Sequence, residues 1–278
     1  MNDGEPSSTA LSSAAARAAH LVADGTPKVF EDTLAARLIG GLADEMIGYH
    51  RTRGEHIILA GTRAVTTVRS RYTEARITAH GQYVILGAGL DTYGYRGDPG
   101  VRVFEVDHPA TQEWKKGLLE TAGIPVPENV VFVPVDFEAE DPVERLACSG
   151  FDLGRPALVG WLGVSFYLTR DTVAKTLGEI ARLAPGSELV LDYALPEGMR
   201  DAEGDAYAEI AEQVVRDGGE PRRSAFAPDE INALLKDRGF EVGENVSVRD
   251  AVPAHLWRRT DALRPFDCFR LVRAAVTS

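Results

Sequence analysis

An α/β fold built on a mostly parallel sheet is predicted for this chain of 278 residues, and two observations predict it. From Gln82 onward, short apolar runs alternate with stretches of helical periodicity, the rhythm of a parallel sheet covered on both faces. The first run, Val84-Ile85-Leu86, stops in the turn Gly87-Ala88-Gly89-Leu90-Asp91. A glycine turn at the carboxyl end of a strand is where open α/β sheets hold nucleotide-like ligands.

The elements follow in order. Residues 1–9 are polar and expected to be disordered. Residues 13–22, rich in alanine, and residues 28–42 carry apolar side chains at helical spacing, with Pro27 suited to the start of the second helix. Residues 56–77 read as a longer helix bearing Arg63, Arg69, Arg71 and Arg76. Some 80 mostly helical residues are too many for a linker. Residues 1–80 are therefore expected to form a helical cap, and residues 81–278 the sheet domain. Strands are predicted at 82–86, 101–106, 130–135, 157–162 and 188–193, with helices at 109–121 and 169–183. A polar stretch at 197–226, a helix at 228–238 opened by Pro228, and two closing strands at 240–248 and 268–275 complete the chain.

Composition narrows the function. Hydrophobic residues make up 44% and charged residues 26% of the chain, as in a globular protein with a packed core. The 42 acids outnumber the 30 bases, for a formal net charge of −12, which argues against a nucleic-acid or anionic-membrane surface. Residues 249–273 are the local exception, with six Arg against three Asp; most of these are expected to be solvated or paired. No apolar run approaches the ~20 residues that span a bilayer, and the opening residues lack the basic-then-apolar pattern of a signal peptide. Cys148 and Cys268 form no metal-type cluster and are expected to be reduced thiols, so that no metal and a cytoplasmic location are expected.

The glycine turn has a partner. Val103-Phe104-Glu105-Val106-Asp107 is a second apolar run ending in acid, and Asp107 lies 20 residues after Gly87, the spacing at which a carboxylate reaches ribose hydroxyls. Two ligand classes fit such a pair: dinucleotides and S-adenosylmethionine. A dinucleotide site wants a third small residue where this chain has Thr92, and Asp91 would repel a pyrophosphate. A carboxylate is well placed beside an ammonium and a sulfonium. Asp136 and Phe137, ending the third run, could meet the adenine amino group and ring. Arg69 and Arg71 could bind the amino-acid carboxylate bidentately. The aromatic stretch Trp161-Leu162-Gly163-Val164-Ser165-Phe166-Tyr167 is expected to floor a pocket, with Ser165 and Tyr167 toward an acceptor and Asp192-Tyr193 on the same rim. His108, Tyr167 and Tyr193 are the catalytic candidates; His108 or Tyr193 could act as base toward a phenol or alcohol. A carboxylate acceptor needs none.

In combination, LGAGLDT, FEVDHP, PVDFE and the Y-L-T after the aromatic loop resemble the leucine carboxyl methyltransferase-like family of S-adenosylmethionine-dependent methyltransferases, in particular its actinobacterial branch with polyketide carboxyl O-methyltransferases. Thr26-Pro27-Lys28-Val29-Phe30-Glu31-Asp32 and Arg258-Arg259-Thr260-Asp261 share the likeness, which covers most of the chain. The resemblance implies a class I, Rossmann-like methyltransferase fold with a seven-stranded sheet. It implies S-adenosylmethionine bound by Gly87, Ala88, Gly89, Asp107 and His108, with Asp136 and Phe137 at the adenine and Arg69 at the methionine carboxylate. Where protein-directed members carry a Glu five residues before the loop Tyr, this chain has Leu162, which points away from a protein substrate and toward a small-molecule acceptor. The expected reaction is O-methylation of a small molecule, releasing S-adenosylhomocysteine. A nicotinamide-dependent oxidoreductase, a non-catalytic S-adenosylmethionine-binding protein and a different S-adenosylmethionine chemistry are the competing readings.

Overall fold

The computed structural model describes residues 7–217 and 221–277. Four helices precede the sheet: α1 (Ser8–Ala23), α2 (Ala35–Ile39), α3 (Ala43–Arg53) and α4 (Ile57–Ile77). The sheet then begins with β1 (Gln82–Leu86), followed by the short α5 (Tyr93–Arg96), β2 (Arg102–Asp107), α6 (Pro109–Thr121), β3 (Val130–Pro134) and α7 (Pro142–Cys148). The second half runs β4 (Leu158–Trp161), α8 (Arg170–Ile180), β5 (Glu188–Ala194), α9 (Ala202–Asp217), α10 (Pro228–Asp237), β6 (Phe240–Ser247) and β7 (Phe269–Val276).

The seven strands order as β3-β2-β1-β4-β5-β7-β6. Strands β1 to β5 pair in parallel, while β7 runs antiparallel between β5 and β6. This is the class I methyltransferase fold. The central strands are apolar on both sides because both faces are covered: β1 is buried at all five positions. The order reverses between β1 and β4, which opens a crevice at their carboxyl ends.

Two stretches differ from the sequence expectation. Residues 28–34 are not helical, because Asp32 Oδ1 accepts from the amides of Leu34 and Ala35 and starts α2 only there. Pro27, preceded by a cis peptide bond, lies in the loop before this segment rather than at the start of a helix. Within the polar stretch 197–226 lies the helix α9, which packs on α4 through Tyr207, Ala208 and Ala211. Tyr207, Ile210, Ala211 and Val214 recur there at helical spacing, but the acids set among them make the stretch read as polar. Of the residues expected to be disordered, 1–6 lie outside the described part, and Ser8 and Thr9 begin α1.

Charged pairs tie the N-terminal helices together. Arg63 of α4, 1% exposed, bonds both oxygens of Asp24 at 2.9 Å and the Gly54 carbonyl, and meets Nδ1 of His50 at 3.0 Å. Burial, and then the neighbouring Arg63 cation, push the His50 imidazole down to about 4. Among the described residues no helix is long and apolar enough to cross a membrane.

Candidate functional site

The glycine turn adopts backbone angles open to glycine. Gly87 has φ +69° and Gly89 φ +44°. A Cβ on Gly87 would overlap Val164 Cγ2, and one on Gly89 would stand 3.0 Å from Ala10 Cβ of α1. The turn is therefore squeezed between the loop after β4 and the first helix. Asp107, at the end of β2, reaches across to it: its Oδ2 accepts from Gly89 N at 2.5 Å and its Oδ1 from His108 N at 2.7 Å. Burial raises the Asp107 acid, and these two amides work against that shift.

Beyond the turn, the chain is anchored to the N-terminal helices. Arg17 of α1 donates to the Leu90 carbonyl at 2.7 Å and pairs with Asp32 at 2.8 Å. Asp32 also accepts from Thr92 Oγ1 at 2.7 Å. Sequence reading did not single out Arg17. Asp32 stood only among residues that carried the family likeness, so its role in holding the turn emerges from packing.

A cavity of about 780 Å³ opens on the turn. Gly87, Ala88, Gly89, Asp107, His108, Asp136, Phe137, Arg69 and Tyr167 all border it. The structure thus brings together the sequence-selected residues from four strand ends and from α4. Three of them carry local tasks as well. Asp136 Oδ1 accepts from Glu138 N at 3.0 Å, closing the turn after β3. Arg69 packs against Gly163 and pairs with Asp192 at 3.1 Å, while its Nη2 lies 3.5 Å from Ser13 Oγ. Burial raises the Asp192 acid, and Arg69 and the Gly163 amide oppose it. His108 caps α6, its Nδ1 accepting from Ala110 N at 3.3 Å. That bond uses the ring's acceptor nitrogen and leaves Nε2 to carry the proton of the neutral ring, an arrangement suited to donating rather than to abstracting a proton.

Tyr193 is not brought to the cavity. Strand side chains alternate between faces, and Tyr193 points into the layer that packs on α8 and α10, fully buried, with its hydroxyl donating to Asn245 Oδ1 at 2.8 Å. Ser165 and Asp192 likewise lie beneath the pocket rather than on its wall: Ser165 Oγ donates to the Asp192 carbonyl at 2.6 Å. Arg71 donates to the Val29 carbonyl.

Also lining the cavity is an aromatic wall that the sequence exposed only in part. Phe166 lies 5.2 Å from Phe269, which lies 6.0 Å from Tyr207, ring centre to ring centre. Arg222 sits beside these rings. Tyr207, Arg222 and Phe269 come from α9, the segment before α10 and the start of β7, so no local motif joins them. Leu162 also borders the cavity. Among the described residues no group of three His, Cys, Asp or Glu could hold a metal ion.

Comparison with known proteins agrees with this architecture. A sequence model of the family described as leucine carboxyl methyltransferase matches residues 10–181. YktD of Bacillus subtilis, provisionally named an S-adenosyl-L-methionine-dependent methyltransferase, is 33% identical over 99% of both chains. A Mycobacterium avium protein with the same provisional name is 34% identical over 182 residues, 63% of this chain and only 55% of its own length. Among solved structures, a provisionally named methyltransferase from Thermobifida fusca superposes with TM-score 0.57 at 20% identity, covering 100% of this chain and 97% of its own. A DUF574 family protein from Streptomyces avermitilis gives TM-score 0.60 at 17% identity over 87% of this chain and 96% of its own. At those identities the likeness is one of fold.

Proposed function

The chain belongs to the leucine carboxyl methyltransferase family and is an S-adenosyl-L-methionine-dependent methyltransferase; from that premise we propose that it methylates an oxygen of a small organic acceptor held in the cavity. The observation that carries this reading is the cavity itself. One space of about 780 Å³ joins the glycine turn to an apolar aromatic wall, the size and character of a small-molecule pocket.

When bound, S-adenosyl-L-methionine supplies a methyl group already activated on a sulfonium. The protein's share is then binding and alignment. In this reading Asp107 takes the ribose hydroxyls. Each of its oxygens already accepts one backbone amide, and each keeps a further lone pair. Gly87, Ala88 and Gly89 bring bare backbone against the methionine portion, where Asp91 is compatible with a cation and not with a pyrophosphate. Asp136 and Phe137 meet the adenine. Arg69 takes the methionine carboxylate through Nη2, whose 3.5 Å contact to Ser13 Oγ is weak enough to exchange. The helices before β1 serve as the cap, since Ala10 covers Gly89. His108 and Tyr167 face the space as polar positioning groups, and an acceptor oxygen that is already anionic needs no base.

The test is calorimetric. Wild-type protein is expected to bind S-adenosylhomocysteine and not NADH, and Asp107→Asn to weaken the former about 10- to 100-fold, as for loss of hydrogen bonds to a charged group. Incubation with S-adenosyl-L-methionine and small carboxylic acids or phenols should yield S-adenosylhomocysteine together with an O-methyl product. Methylation confined to nitrogen, carbon or protein acceptors would sink the small-molecule O-methyl reading.

A further inference from the structure

The cavity has a charge imbalance. Four arginines border it: Arg17, Arg69, Arg222 and Arg223. Three are neutralised, Arg17 by Asp32 at 2.8 Å, Arg69 by Asp192 at 3.1 Å and Arg223 by Glu138 at 3.4 Å. Arg222 is different. Among the described residues no carboxylate lies within 4.0 Å of it, and its Nε is buried without a hydrogen-bond partner. Its guanidinium carbon instead stands 5.1 Å from the ring centre of Phe269, 5.9 Å from Phe166 and 6.0 Å from Tyr207. The thiol of Cys268, kept neutral by burial, is a polar neighbour.

Arg222 is only partly buried, but its Nε is cut off from water without a partner, and such a donor is costly to leave unpaired. Aromatic faces return only part of that. An anion arriving in the cavity would complete the site and would be held strongly, because a guanidinium forks onto a carboxylate with two parallel hydrogen bonds. The polarity of the cavity agrees. Asp107 and Asp136 close β2 and β3 on one side of the crevice, where a cationic donor belongs, whereas the rings around Arg222 come from beyond β4, from α9 and from β7.

We propose that Arg222 is the anion-binding subsite for the methyl acceptor, so that the acceptors of this enzyme are apolar, ring-bearing carboxylates whose carboxylate pairs with Arg222 while the ring packs on Phe166, Tyr207 and Phe269. The inference rests on the reading that this cavity holds the acceptor. It does not depend on which acceptor atom is methylated.

The experiment uses 2-naphthoate and its uncharged isostere 2-naphthamide, each titrated into full-length protein loaded with S-adenosylhomocysteine. The carboxylate is expected to bind at least about tenfold more tightly than the amide, the value of one charge-assisted hydrogen-bond pair. Arg222→Met should abolish that preference, and Arg222→Lys, which keeps charge and loses the fork, should retain part of it. A rise in melting temperature of each variant on adding S-adenosylhomocysteine reports that the pocket is folded. Equal binding of the two probes, no binding of naphthoate, or a preference that survives in Arg222→Met would overturn the subsite. Failure of methyl transfer to oxygen, with the naphthoate preference intact and Arg222-dependent, would instead count against the reading of the reaction.

Discussion

Gly87 shows how much one residue can decide. Its positive φ lets the chain turn at the end of β1, its amide donates to the Val106 carbonyl at 2.8 Å, and its missing side chain admits Val164. Alanine there meets two obstacles at once, a left-handed backbone and an overlap with Val164. Gly87→Ala is expected to cost roughly 1–3 kcal/mol of stability, read as a lowered denaturant midpoint at unchanged slope. A variant as stable as the wild type would mean that the turn can relax and that the tightness of the site lies elsewhere. Asp107 was legible for a related reason: a single acid ending an apolar strand has few structural uses. Arg222 was not legible, because its meaning depends on Phe166, Tyr207 and Phe269, drawn from distant parts of the chain.

At the level of elements, the arginine-rich stretch near the carboxyl terminus acts as a clamp. Arg259, its side chain 2% exposed, pairs with Asp261 and donates to the carbonyls of Gly25 and Pro27, while Asp261 accepts from Gly25 N. The loop between α1 and α2 is thereby held by a segment 232 to 236 residues away in sequence. Burial by itself would raise the Asp261 acid, but the Arg259 guanidinium and the amides of Gly25 and Leu263 prevail and hold it at about 2. A folded-state value below the unfolded value of ~4 stabilises the protein above pH ~4, and this contribution is lost as the pH falls through about 2. Arg259→Ala is expected to lower stability by roughly 2 kcal/mol at neutral pH, with the gap to wild type narrowing between pH 4 and 2. A gap that stays constant over that range would show that the pair contributes packing alone. The helix α9, read from the sequence only as a polar stretch, illustrates the converse: Tyr207, Ala208 and Ala211 stand among acids, and contact with α4 is what makes them a packing face.

For the whole molecule, the question is how ligands reach a cavity that the N-terminal helices border. Arg17 and Asp32 bind those helices to the segment after the glycine turn, and the Asp24–Arg63–His50 cluster binds them to one another. They are expected to move as a unit. S-adenosylhomocysteine should slow amide hydrogen exchange in α1 (Ser8–Ala23) along with the turn itself, since ligand binding draws on the opening of both. Slowed exchange at the turn with α1 unchanged would remove α1 from the cap. What the sequence by itself determined was the parallel sheet, the glycine turn and the acids that end β2 and β3; the cofactor followed from the family likeness that these motifs carry in combination. These signals are local: period-two and period-3.6 apolar patterns, and residues whose backbone or charge demands are rare. What only the tertiary structure decided was which side chains share the cavity. It turned Tyr193 to the opposite face, gave the cation of Arg69 a partner in Asp192, and left Arg222 among three rings. The physical reason is that strand parity and helix packing assign each side chain to a face, and charge pairing is settled only between faces that meet.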